Sequence, residues 1–200
     1  MISMYNIKPK FQELLKPTLG FLYRRGITAN QLTLSAVMLS FLMGMGLWFS
    51  KEWHFGFLFV PIGLLLRMAL NALDGMMARS YNMQSKLGEA LNEIGDVISD
   101  MFIYIPLIKI VGVSPELVAY FVGLSIVNEF SGVIGKVIGN QRRYDGPMGK
   151  SDRAFVIGLL CLCLYFYSIP VFYINIIIAL CAVLIVISSF IRIKKALDDG

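Results

Sequence analysis

From Val171 to Ile191 the chain carries no charged side chain, and Ile, Val, Leu and Ala fill most of the stretch. As a helix rising 1.5 Å per residue it would span ~30 Å, the thickness of a bilayer's hydrocarbon core. Less pure runs of similar length lie at about 31–50, 55–78, 88–112, 115–139 and 153–170. The break at Ser168–Ile169–Pro170 makes the last two a hairpin. Hydrophobic residues make up 57% of the 200 positions and charged residues 16%. A soluble domain carries about 25% charged residues, so the composition argues against one. The expected fold is all-α: a polytopic membrane protein of six transmembrane helices in a single domain over 1–200.

Two features qualify the ends of this plan. Residues 8–25 read as an N-terminal interfacial amphipathic helix, with Phe11, Leu14, Leu15, Leu19 and Leu22 at helical spacing. Pro17 is expected to kink or divide it. No short apolar core followed by a small-residue cleavage site is evident at the N-terminus, so no removable signal peptide is expected. Cys161, Cys163 and Cys181 all sit inside apolar runs, without a CxxC pair or a Cys/His cluster. They read as packing or lipid-facing residues rather than disulfides or zinc ligands.

Basic residues set the orientation. Lys8, Lys10, Lys16, Arg24 and Arg25 precede the first span, and Arg79 and Lys86 lie between the second and third. Arg142, Arg143, Lys150 and Arg153 fall between the fourth and fifth, and Arg192, Lys194 and Lys195 follow the sixth. The loops of the opposite side hold only Lys51. This asymmetry puts both termini in the cytoplasm, in a bacterial cytoplasmic (inner) membrane. It also accounts for the net charge of +5 through anionic headgroups, with no nucleic acid as partner.

The polar cluster is NALDGMMARSYNMQSKLGEALNEIGDVISD, residues 71–100. Asn71 and Asp74 are three apart on one helix face, and Asn92, Asp96 and Asp100 step by four along another. A short loop joins these two spans, so Asp74 and Asp96 are expected at similar depth near the cytoplasmic surface. Charges at such depth cost several kcal/mol unless paired or hydrated, so they usually mark a function. Carboxylate and amide oxygens suit a hard cation such as Mg²⁺ or Mn²⁺, which can neutralise a diphosphate. Gly75, Ala78, Gly88 and Gly95 leave room for a ligand or for close helix contacts.

These residues resemble the CDP-alcohol phosphotransferases. Asn71-x-x-Asp74-Gly75-x-x-Ala78-Arg79, eight residues, then Gly88-x-x-x-Asn92-x-x-x-Asp96 follows their DxxDGxxAR and GxxxDxxxD spacing, with Asn at the first and third acidic positions. The Thr28–Ala29–Asn30–Gln31–Leu32–Thr33 start of the first span fits as well. The resemblance implies attack of an alcohol hydroxyl on a CDP-linked donor such as CDP-diacylglycerol, release of CMP, and a homodimer among membrane lipids. It implies metal ligation by Asn71, Asp74, Asn92 and Asp96, with Asp96 as general base. It implies contacts from Gly75, Ala78, Arg79 and Gly88 to the CDP part, and from basic residues such as Lys150 and Arg153 to a substrate phosphate.

Asn71 and Asn92 each keep a ligating oxygen but remove a negative charge relative to that pattern. Glu89, Glu93 or Asp100 is a candidate to compensate, with Glu89 and Glu93 otherwise solvated near a helix start. Arg67 either faces the pocket or neutralises a buried acid. Asn128, Glu129 and Lys136 either help bind the acceptor or form a structural pair. The loop QRRYDGPMGKSDRAF is expected to turn at Gly146–Pro147 and Gly149, with Ser151 capping the next helix and its four basic residues at the pocket mouth. Alternatives to the transferase are a non-catalytic relative that binds lipid or nucleotide, motivated by the two Asn, and a small transporter, suggested by charges within spans.

Overall fold

The computed structural model describes residues 4–139 and 141–199, with side chains from Phe11 onward. Residues 1–3, 140 and 200 of the expected domain, and the side chains of Lys8 and Lys10, lie outside the described residues. The chain is all-helical across them: α1 (Met4–Arg24), α2 (Ala29–Trp48), α3 (Gly56–Ser80), α4 (Lys86–Tyr104), a 3₁₀ segment (Ile105–Lys109), α5 (Pro115–Ile138), α6 (Lys150–Phe166) and α7 (Val171–Asp198).

Four of these helices, α2, α3, α5 and α7, are long and apolar enough to cross a membrane. α4 carries Glu89, Glu93, Asp96 and Asp100 within its length, and α6 has 17 residues. α2 packs on α3 and α4, α5 on α7, and α3 on α6, while α1 lies against α3. A Cβ at Gly44 would overlap the Phe102 carbonyl, so only glycine permits this approach of α2 to α4.

Side-chain caps start α2 and α4. Thr28 and Gln31 form a reciprocal capping box at α2: the Gln31 amide donates to Thr28 Oγ1 at 3.3 Å, and the Thr28 amide to Gln31 Oε1 at 2.9 Å. Ser85 Oγ accepts from the Gly88 amide at 3.0 Å and opens α4.

Three boundaries differ from the sequence expectation. α1 is not divided at Pro17, because the α1 face of Leu15, Leu19 and Leu22 packs with Leu73, Met76 and Met77 of α3, and Tyr23 stacks on Tyr81 at 3.6 Å. Leu14, expected on the same face, is exposed. The third apolar run is not one helix to residue 112: it changes to 3₁₀ at Ile105, next to Pro106, whose missing N–H cannot continue the α pattern. α6 begins at Lys150 behind Gly149, with Asp152 Oδ2 accepting from the Gly149 amide at 3.0 Å, so Ser151 is not the cap.

Candidate active site

The facing segments of α2, α3 and α4 line an open polar cavity of about 580 Å³, with Thr33, Asp74, Gly75, Ala78, Arg79, Gly88, Glu89 and Asn92 among its walls. The Thr33 hydroxyl donates to Asp74 Oδ2 at 2.8 Å, which fixes the carboxylate of α3 from α2. Residues expected to contact the CDP part, Gly75, Ala78, Arg79 and Gly88, all line this one cavity. A Cβ at Gly88 would stand 2.9 Å from Asn30 Oδ1, so the glycine keeps that wall open.

Asn71 lies elsewhere. It lines an apolar groove of about 410 Å³ between α3 and α6, with Pro61, Leu64, Met68 and Phe155 along its length and Arg67 and Lys150 at its polar end. Asn71 and Asn92 therefore border different spaces. Asp96 joins the two sides: the Lys150 ammonium donates to its Oδ1, and Arg67 Nη2 stands 3.8 Å from the same oxygen. Asp74 lies within electrostatic reach of both Asp96 and Lys150.

Lys150 owes its place to the loop before it. Met148 holds a left-handed backbone, φ +59°, which costs a non-glycine residue about 1–2 kcal/mol. Burial of its side chain and a bond from Arg153 Nη1 to its carbonyl, 3.3 Å, hold it there. The Ser188 hydroxyl and Arg192 Nε donate to the Asp145 carbonyl at 3.1 and 3.2 Å and pin the same loop onto α7.

Beneath the cavity lies a buried ionic network. Arg67 Nη1 donates to Asp100 Oδ1 and Arg153 Nη2 to Asp100 Oδ2, both at 2.9 Å. Arg153 Nη2 also reaches Glu129 Oε1 at 2.8 Å, and Arg142 Nη2 reaches Glu129 Oε2 and Glu93 Oε2, each at 2.8 Å. The network corrects several expectations. Arg153 is 0% exposed and committed to two carboxylates, so it is not at the pocket mouth. Asp100 and Glu93 are held by arginines and are not free to replace the missing carboxylates. Glu129 and Asn128 are buried, with Asn128 Oδ1 accepting from Arg153 at 3.2 Å, and Arg67 neutralises a buried acid while also ending the groove. Glu89 pairs with Lys136 on the surface beside the cavity.

Residues 26–188 match the family model for CDP-alcohol phosphatidyltransferase. The chain belongs to the CDP-alcohol phosphatidyltransferase family.

Two relatives and one solved structure resemble the chain over different extents. Inner membrane protein YnbA of Escherichia coli is 41% identical over 196 residues, covering 98% of this chain and 97% of the relative. An uncharacterized protein of Aquifex aeolicus is 30% identical over 96 residues, covering 47% of this chain and 45% of its own length. A crystal structure of Mycobacterium tuberculosis phosphatidylinositol phosphate synthase with CDP-DAG bound superposes with a TM-score of 0.69 over 90% of this chain and 92% of that one; at 22% identity the likeness is one of fold. CDP-alcohol phosphatidyltransferases are membrane-bound transferases of phospholipid biosynthesis, and this protein is one of them.

The family uses divalent metal ions. Among the described residues no cluster of three or more His, Cys, Asp or Glu forms a metal cage. Two carboxylates and two amides remain at the four signature positions. Asp74 and Asn92, on one cavity, fit a single hard ion by donor chemistry. Asn71 and Asp96 do not fit a second, because Lys150 already holds the Asp96 carboxylate.

Sequence reasoning passed over Thr33 as an Asp74 partner, Asn30 and Ser85 as cavity residues, and Met148 as a strained support for Lys150. Thr33 had a signal, four residues into the capped start of α2; the others had none without the fold.

Proposed function

We propose that this CDP-alcohol phosphatidyltransferase transfers a phosphatidyl group from a CDP-diacylglycerol-type donor to an alcohol and releases CMP. The observation that carries the reading is the adjacency of the polar cavity bearing Asp74, Arg79 and Asn92 to the apolar groove that ends at Arg67 and Lys150. The first suits a cytidine diphosphate and the second an acyl chain. The acceptor oxygen forms a bond to the phosphorus distal to cytidine, the bond from that phosphorus to the bridging oxygen breaks, and CMP leaves with the electron pair. Asp96 takes the acceptor proton and passes it to solvent. Arg79 and Lys150 hold the diphosphate, and Gly75 and Gly88 admit it closely. A bound Mg²⁺ or Mn²⁺, held by Asp74 and Asn92, supplies charge neutralisation at the phosphates.

The same reading takes 1–200 as one domain in the inner membrane. α4 with its 3₁₀ extension and α6 cross the bilayer beside the four longer helices, giving six spans with both termini in the cytoplasm. α1 lies along the cytoplasmic interface, and the protein works as a homodimer.

Purified protein in detergent, supplied with CDP-diacylglycerol, Mg²⁺ or Mn²⁺ and a panel of alcohols, is expected to release CMP with at least one of them. Absence of CMP with every donor and alcohol overturns the reading. Asn71 and Asn92 favour a second one, a non-catalytic relative that binds a CDP-lipid. Donor binding without CMP release, with release gained in the Asn71→Asp/Asn92→Asp variant, selects it.

A further inference from the structure

We infer that Lys150 is a built-in cation standing where a second metal ion would otherwise act, so that the site binds one divalent ion and presents a fixed ammonium to the substrate diphosphate. The inference rests on the transferase reading above.

Geometry carries it first. The signature positions divide between two spaces: Asp74 and Asn92 on the polar cavity, Asn71 at the polar end of the α3–α6 groove. Asp96 belongs to the second side through its contacts with Lys150 and Arg67, and both cations line the same groove as Asn71. The ion that Asn71 and Asp96 would share therefore meets a space already holding positive charge.

Charge carries it second. Two divalent ions would more than neutralise two carboxylates even before the ammonium is counted. One divalent ion together with Lys150 leaves a small positive excess over the two carboxylates, smaller than the excess that two ions and the ammonium would leave. An aspartate at 71 would sit beside Lys150 and Arg67, where an amide supplies a carbonyl oxygen without competing with Asp96 for them.

Construction carries it third. Lys150 is the first residue of α6, its side chain is 28% exposed, and it lies two positions after Met148, whose left-handed backbone is held by the Arg153 bond to its carbonyl. Free lysines on a surface sample many rotamers. This one is anchored at its backbone and aimed at α4, 54 residues away in sequence. An ammonium so placed would meet a substrate phosphate from the groove, and an ion held by Asp74 and Asn92 would supply positive charge from the cavity.

The test counts ions directly. Mn²⁺ bound per chain is measured by equilibrium dialysis and electron paramagnetic resonance, with CDP-diacylglycerol in detergent and donor binding followed separately by calorimetry. The expected results are one Mn²⁺ in the wild type, one in Lys150→Met with donor affinity lowered about tenfold or more, as for loss of a charge-assisted bond, and two in Asn71→Asp/Asn92→Asp/Lys150→Met. Two Mn²⁺ in the wild type, or unchanged donor affinity in a folded Lys150→Met protein, overturns the inference and leaves the transferase reading intact. Failure of the wild type to bind CDP-diacylglycerol overturns that reading and the inference with it. The wild-type count decides the stoichiometry even if the triple variant fails to fold.

Discussion

The Lys150 ammonium at the start of α6 donates to the Asp96 carboxylate in the middle of α4. This pair joins the α3–α6 groove to the signature carboxylates, and it ties the loop before α6 to the middle of α4.

Replacing Asp96 should therefore separate chemistry from binding. Asp96→Asn keeps the shape and removes the carboxylate proposed as the base, and turnover should fall about 100–10,000-fold. CDP-donor affinity, measured by calorimetry, should change far less. Near-normal CMP release from a folded Asp96→Asn protein would take the residue out of this role.

Lys150 and Arg153 are three positions apart and should behave differently. Lys150 is partly exposed at the groove, so Lys150→Ala should raise the apparent KM for the donor and leave the unfolding midpoint nearly unchanged. Arg153 is buried between Asp100 and Glu129, and removing one partner of such a network costs about 3–5 kcal/mol. Arg153→Ala should lower the thermal midpoint in detergent sharply. An intact midpoint together with a raised KM would return Arg153 to direct phosphate contact.

The loop between α5 and α6 should loosen in acid. Lys195 hydrogen-bonds Asp145 and, with Arg143, adds favourable charge, so the Asp145 carboxyl lies below the usual carboxylate range despite slight burial. A depressed folded-state pKa stabilises above the ordinary value of about 4 and loses that contribution as pH falls through the depressed one. Protease protection of residues 141–149 should be flat from neutral pH to about 5 and decline below about 4. Asp145→Asn should be less protected at neutral pH and lack the acid step. An identical acid step in Asp145→Asn would assign it to another group.

Topology is open to labelling. Cysteines introduced by Glu52→Cys and Asp198→Cys should react with impermeant reagents from opposite sides of the membrane. Reaction of both from the same side would break the six-span arrangement.

The class of molecule could be read from the sequence alone, and so could the stretch that carries the family signature. Apolar length is a local property, so the cores of α2, α3, α5 and α7 were legible within a few residues, and so were the Thr28 cap and the spacing from Asn71 to Asp96. The break at Pro106 was not read, because hydropathy runs on past it to residue 112, although the missing N–H that causes it belongs to the residue itself. The partner of each charge was decided only by the tertiary structure. Nothing local to Arg153 distinguishes a phosphate ligand from a buried strut; the choice is made by Asp100 and Glu129 arriving from α4 and α5. Likewise Asn71 and Asn92 read as equivalent in the signature. The packing of α6 against α3 sets them on different spaces, because a charge or an amide acquires its role from the helices that meet around it.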